Sequence, residues 1–152
     1  MPGVLILIIS LITDLKEIEA LKNMPAMQDT EDLILLRKKE SKALLYVVDT
    51  YNPRAVVNYH AMGNVIFHKY KGDKATMKGV EKLTSGIKKI TGYSYLGTSP
   101  GPGFANYLVR KRRIPSTTVE IGKYTTPVPI GQFKTVWKQN KNVMAAVAKL
   151  YE

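Results

Sequence analysis

The chain has 152 residues, 45% of them hydrophobic and 23% charged, which is ordinary composition for one globular domain with its own core and excludes wholesale disorder. A formal net charge of +11 biases the surface toward anionic partners. With no cysteine, disulfides, thiolate nucleophiles and Cys-based zinc sites are excluded together, so any metal has to be held by His, Asp or Glu.

Residues 4–12 (VLILIISLI) form an apolar run of signal-peptide length, without a basic segment before it or a clean cleavage site after it. The run is too short to span a bilayer as a helix, so no transmembrane span is expected. It reads equally as a buried strand or helix and as a degenerate signal. The first reading leaves the protein cytoplasmic; the second places it outside the cell or in the envelope. Residues 23–30 (NMPAMQDT) read as a loop.

From Ser41 to Tyr51 the apolar positions Ala43, Leu44, Val47, Val48 and Tyr51 fall at helical spacing, and Asn52-Pro53 ends that helix. A strand is expected over 55–59, a break at Ala61, Met62 and Gly63, and a second extended segment over 65–68. Residues 71–74 read as a polar loop. Val80, Leu83, Ile87 and Ile90 mark the inward stripe of the next helix, with Gly92 as its C-terminal cap. The stretch 97–103 (GTSPGPG) is a loop, 104–111 a short helix running into the basic cluster RKRR at 110–113, and 116–121 a strand opened by Pro115. One long helix is expected over 133–150, with Phe133, Val136, Trp137, Val143, Val147 and Leu150 on its core face. Strands alternating with helices predict a three-layer α/β/α arrangement around a mixed, mostly parallel sheet.

Two strands end on side chains with chemistry. AVVNYH delivers His60, and STTVEIGK carries Glu120, both to the carboxyl rim of the sheet where α/β proteins build sites. Alone, His60 reads as a hydrogen-bonded strand-end histidine, because one imidazole makes no metal site. Glu120 in an apolar strand is costly without a partner, which either a functional role or a salt bridge to a lysine such as Lys123 explains. His68 reads as a surface or strand-edge residue, Tyr93 and Tyr95 as packing residues at a loop edge. The Gly-Pro loop lacks the ending of a phosphate-cradling motif, so nucleotide binding is not expected.

The ordered set of helix, NPRAVVNYH, Gly-Pro loop before GFANYL, TTVEIGK and terminal helix with Trp137 resembles the carboxy-terminal half of the zinc carboxypeptidase family. The likeness is to its bacterial branch acting on γ-D-glutamyl-diamino acid bonds of cell-wall peptides, and it runs from about Ser41 to Tyr151. Residues 1–40 show no family feature. The resemblance implies zinc as cofactor, a peptide substrate and metallocarboxypeptidase-type proteolysis. It makes His60 the third zinc ligand and Glu120 the glutamate that moves a proton from zinc-bound water to the leaving amine. Tyr95 corresponds to the tyrosine that closes over substrate, and Asn106 to a residue contacting the substrate side chain. The family's His-x-x-Glu motif and its Asn-Arg pair are absent, and Arg54 does not match the latter. The resemblance therefore implies a truncated domain over 41–152 that holds zinc poorly alone and self-associates or pairs with a missing amino-terminal half. Two other functions compete with it. RKRR with Lys88 and Lys89 suits a basic polyanion or nucleic-acid binding module, although no aromatic-interleaved recognition motif accompanies it. An inactive relative that binds peptide without cutting it is the other.

Overall fold

The computed structural model describes residues 6–9, 39–97 and 103–152, with 6–9 and 39–40 described by backbone alone. The expected loop at 23–30 and residues 98–102 of the Gly-Pro loop lie outside the described residues. A five-stranded sheet organises the rest: β1 (Ile6–Ile9), β2 (Ala55–Ala61), β3 (Val65–Phe67), β4 (Ser94–Leu96) and β5 (Ser116–Ile121), in spatial order β1-β2-β5-β3-β4. The pairs β1/β2, β2/β5 and β3/β4 are parallel and β3/β5 is antiparallel, so the sheet is mixed and mostly parallel as expected. The apolar run near the amino terminus supplies β1, which occupies the outer edge of β2.

Side-chain alternation along β2 and β5 divides the core. Ala55, Val57 and Tyr59 of β2, with Val119 and Ile121 of β5, pack on Leu83 and Ile87 of α2 (Lys74–Thr91) and on Val143 and Val147 of α5 (Val143–Leu150). Val56, on the other face, packs with Val48 of α1 (Lys39–Tyr51), with Phe104 and Tyr107 of α3 (Phe104–Tyr107), and with Leu108 of the π-helical turn that follows. Helices thus cover both faces. Burial on both faces explains why β2 opens on the apolar run AVV and β5 carries the β-branched run TTV without polar alternation.

Local chemistry fixes the ends of α2. Asp73 caps its amino end, accepting hydrogen bonds from the Thr76 N–H at 3.0 Å and the Thr76 hydroxyl at 2.8 Å. Gly92, in the left-handed region at φ 70°, closes the other end by donating to the Lys88 carbonyl at 2.9 Å. The helix therefore begins six residues before the first of its expected inward positions, Val80, because its first turns are rich in lysine and show little apolar periodicity.

Two expectations are corrected. The terminal helix is two helices, α4 (Phe133–Asn140) and α5, separated at Lys141-Asn142. Phe133 and Trp137 are not core residues: they are 59% and 58% exposed. The inward side of α4 is Val136, Gln139 and Asn140 instead, and the buried Tyr93 explains why. Its hydroxyl donates to Gln139 Oε1 at 3.2 Å and accepts from Asn140 Nδ2 at 2.8 Å, so polar anchoring decides the orientation of this helix.

Candidate functional site

His60 and Glu120 are directly opposite one another in the β2/β5 register, near the carboxyl ends of both strands. Paired residues in neighbouring strands project to the same side of a sheet, so the imidazole and the carboxyl share one face. Val65 pairs with Glu120 from the other side. The turn joining β2 to β3 folds against this position. A Cβ placed on Gly63 would lie 3.8 Å from Glu120 Cβ and 3.3 Å from a Val65 methyl, and Gly63, at φ 151°, has a backbone that side chains rarely adopt. The Gly63 N–H donates to the Gly122 carbonyl at 2.8 Å, tying together the chain just beyond both functional side chains.

Most of the polar interior of these strands is satisfied. Asn58 donates to the Thr117 carbonyl at 3.2 Å, Ser116 to the Val56 carbonyl at 3.2 Å, and Thr117 to the Phe67 carbonyl at 2.6 Å. The Thr118 N–H donates to the Tyr70 hydroxyl at 3.0 Å. Glu120 stands apart: its Oε2 is buried and has no hydrogen-bond partner. No salt bridge joins it to Lys123, which is exposed and whose backbone is held instead by the Gln132 side chain. Burial without a partner disfavours the carboxylate and pushes its pKa from the ordinary 4.5 up to about 6. Burial also lowers the pKa of His60, which keeps its imidazole neutral near pH 7. At neutral pH the rim accordingly presents an ionised carboxylate with an unused lone pair beside a neutral imidazole.

Asn64, in the same turn, was not evident as a site residue in the sequence. Its Oδ1 is buried and unpartnered, one residue from the Val65 that flanks Glu120. The break at Ala61, Met62 and Gly63 was visible, but not that the turn folds back onto β5.

Tyr95 is not brought to the pair. It is opposite Ile66, which is opposite Val119, and this series lies on the sheet face away from Glu120. There its ring packs against the α2 side of the core, stacks on His68 at 4.4 Å between centroids, and lies under the Lys88 ammonium at 4.3 Å. His68 directly follows β3, as a strand-edge residue, and is half-buried in that stack with its Nδ1 lacking a partner. Asn106 sits half-buried on α3, the helix that covers the His60 and Glu120 face. RKRR lies at the other end of the sheet, where Arg112 and Arg113 join Arg54 and Lys82 around a shallow groove of about 600 Å³ beside the amino ends of β2 and β5. Arg112 is ion-paired with Asp49 and Arg113 lies 3.9 Å from Asp73, so these two charges of the cluster already face carboxylates.

A catalytic zinc takes about three protein ligands. Among the described residues no cluster of three His, Asp or Glu side chains could hold a metal, so His60 and Glu120 do not by themselves fit one.

No family model matches the chain. It is similar to γ-D-glutamyl-L-diamino acid endopeptidase 1 of Lysinibacillus sphaericus, 23% identical over 112 residues, which cover 73% of this chain and 28% of that protein. It is also similar to the uncharacterized protein YqgT of Bacillus subtilis (strain 168), 25% identical over 129 residues, 79% of this chain and 32% of that one. The chain thus spans about a third or less of the length of the curated relatives it matches. The likeness to a peptidase is distant, and the fold is mixed α/β with helices on both faces of the sheet.

Proposed function

We propose that the chain carries the general-base side of a peptide-hydrolysing site, with Glu120 as the base and peptides containing a γ-D-glutamyl-diamino acid bond as substrate. The in-register placement of His60 beside Glu120, whose buried oxygen has no donor, carries this reading. A base works best with a pKa near the operating pH, and about 6 suits that task. The carboxylate takes a proton from water as its oxygen adds to the peptide carbonyl. When the C–N bond breaks, the same proton passes to the leaving amine, so the carboxylate is regenerated. The distant likeness to an endopeptidase of that bond class supports the choice of substrate.

Zinc and a carboxypeptidase-type site belong to this proposal only with further donors from outside the described residues, His60 being the ligand this chain contributes. Tyr95 has no part in it, and Asn106 is proposed to contact substrate from the covering helix. Incubation with a γ-D-glutamyl-L-diamino acid peptide in zinc-supplemented buffer, with products measured by mass spectrometry, tests the reading. Wild-type protein is expected to release the free diamino acid product above the buffer rate, and Glu120→Gln to lose that rate by about 100-fold or more. No release by the wild type, or equal release by Glu120→Gln, would overturn it.

A further inference from the structure

The outward face of α4 is built against the usual rule for a helix on a core. Ile130 in the 3₁₀ turn before it, then Phe133 and Trp137, follow one another at spacings of three and four residues and so lie on one side of the helix. All three are exposed, Ile130 at 87%, and the Phe133 and Trp137 rings stack 6.3 Å apart. Lys134, Lys138 and Lys141 form a second exposed stripe, about 100° further round the helix. Between Glu120 and Glu152 the sequence holds five lysines and no acidic residue. Rotation of the helix does not bury the rings, because Tyr93 holds Gln139 and Asn140 inward.

We propose that this face docks on an anionic lipid bilayer, the aromatic stripe entering the headgroup region while the lysines engage lipid phosphates. An aromatic stripe alone would suit many partners. The adjoining cationic stripe, with no carboxylate in the whole segment, matches a continuous negative surface. Gln132 fixes the geometry: it accepts from the Lys123 N–H at 3.0 Å and donates to the Lys123 carbonyl at 2.9 Å, clamping the start of this face to the chain leaving β5. Docking does not depend on the peptidase reading.

Trp137 is the single tryptophan of the chain and reports directly on its own environment. Mixing the full chain with vesicles of phosphatidylglycerol is expected to blue-shift its emission and to sediment the protein with the vesicles. Vesicles of phosphatidylcholine, or inorganic phosphate alone, are expected to do neither. Lys134→Gln, Lys138→Gln and Lys141→Gln should each weaken partitioning roughly fivefold, with the arginine variants retaining it. Ile130→Ser with Phe133→Ser keeps the reporter and removes only exposed side chains, so it should fold as the wild type does by circular dichroism yet lose the blue shift. Equal binding to both lipids, an equal shift with inorganic phosphate, or no binding to phosphatidylglycerol overturns the proposal. So does a concentration-dependent dimer, found by sedimentation without lipid, that shields Trp137.

Discussion

Replacing Glu120 by glutamine should make the protein more stable at alkaline pH and leave it unchanged at acid pH. The folded carboxyl has a pKa of about 6 against an ordinary 4.5, because burial disfavours its charge. Below pH 4.5 the group is protonated in both folded and unfolded chains and costs nothing. Between 4.5 and 6 the unfolded chain ionises first, so the folded state loses stability as pH rises, and above 6 the full penalty is in place. At about 1.36 kcal/mol per pH unit the displacement corresponds to roughly 2 kcal/mol. The side chain is only half-buried, and solvent screening brings the expected effect to about 1 kcal/mol. Glutamine keeps the shape without the charge, so the difference in unfolding free energy between variant and wild type should grow from near zero at pH 4 to about 1 kcal/mol at pH 8. In melting temperature that is about 3 °C for a chain of this size. Urea unfolding of both proteins across that range measures it, and the acid-side loss due to His60 is common to both. A difference that is flat with pH, or a wild type more stable at pH 8, would refute the placement of Glu120 in a partnerless, half-buried position.

Other outcomes follow from the same contacts. Leu83→Ala removes a side chain with no exposed surface from the α2 side of the core and should cost about 3 kcal/mol in chemical denaturation. Asp73→Ala deprives the first turn of α2 of its capping carboxylate and should lower the denaturation midpoint, with Asp73→Asn recovering most of it. Gly122→Ala meets both a left-handed backbone, φ 74°, and a Val128 methyl at 2.5 Å, and should destabilise by about 2 kcal/mol in the same assay. Tyr95→Phe should leave peptide hydrolysis at the wild-type rate, because the ring lies on the other face of the sheet; a large loss of turnover would contradict that placement.

The strands that carry His60 and Glu120 were legible because buried parallel strands are written as β-branched runs, and the residue ending such a run falls at the rim. Their direct opposition was not legible. Register between β2 and β5 joins residues 60 apart, and it is set by packing rather than by anything local. Tyr95 shows the limit in the other direction. Its nearness to the rim in sequence says nothing about its face, and β4, three residues long, gives too little alternation to reveal it. The split terminal helix escaped for a related reason. Apolar spacing located helical residues correctly, yet the orientation of α4 is decided by hydrogen bonds to Tyr93, which no periodicity encodes.

Of the four buried side-chain atoms without a partner among the described residues, two fall together at the carboxyl rim and the others are His68 Nδ1 and Asn140 Oδ1. Glu120 Oε2 and, in the adjoining turn, Asn64 Oδ1 lack partners, while the side chains of Asn58, Ser116 and Thr117 and the backbone N–H of Thr118 deeper in β2 and β5 are bonded. Each orphaned buried group costs stability, and the rim carries two of them beside strands where the neighbouring polar groups are satisfied. The unusual outward helix begins from this same place, since Gln132 ties its first turn to the residue three positions past Glu120. The segment from β5 to α4 therefore carries a partnerless carboxyl at one end and an outward aromatic face at the other. A substitution that loosens the Gln132 clamp should for that reason disturb the reach of the lipid-docking face without changing the titration of Glu120, whose environment is made by β2, β3 and the Gly63 turn.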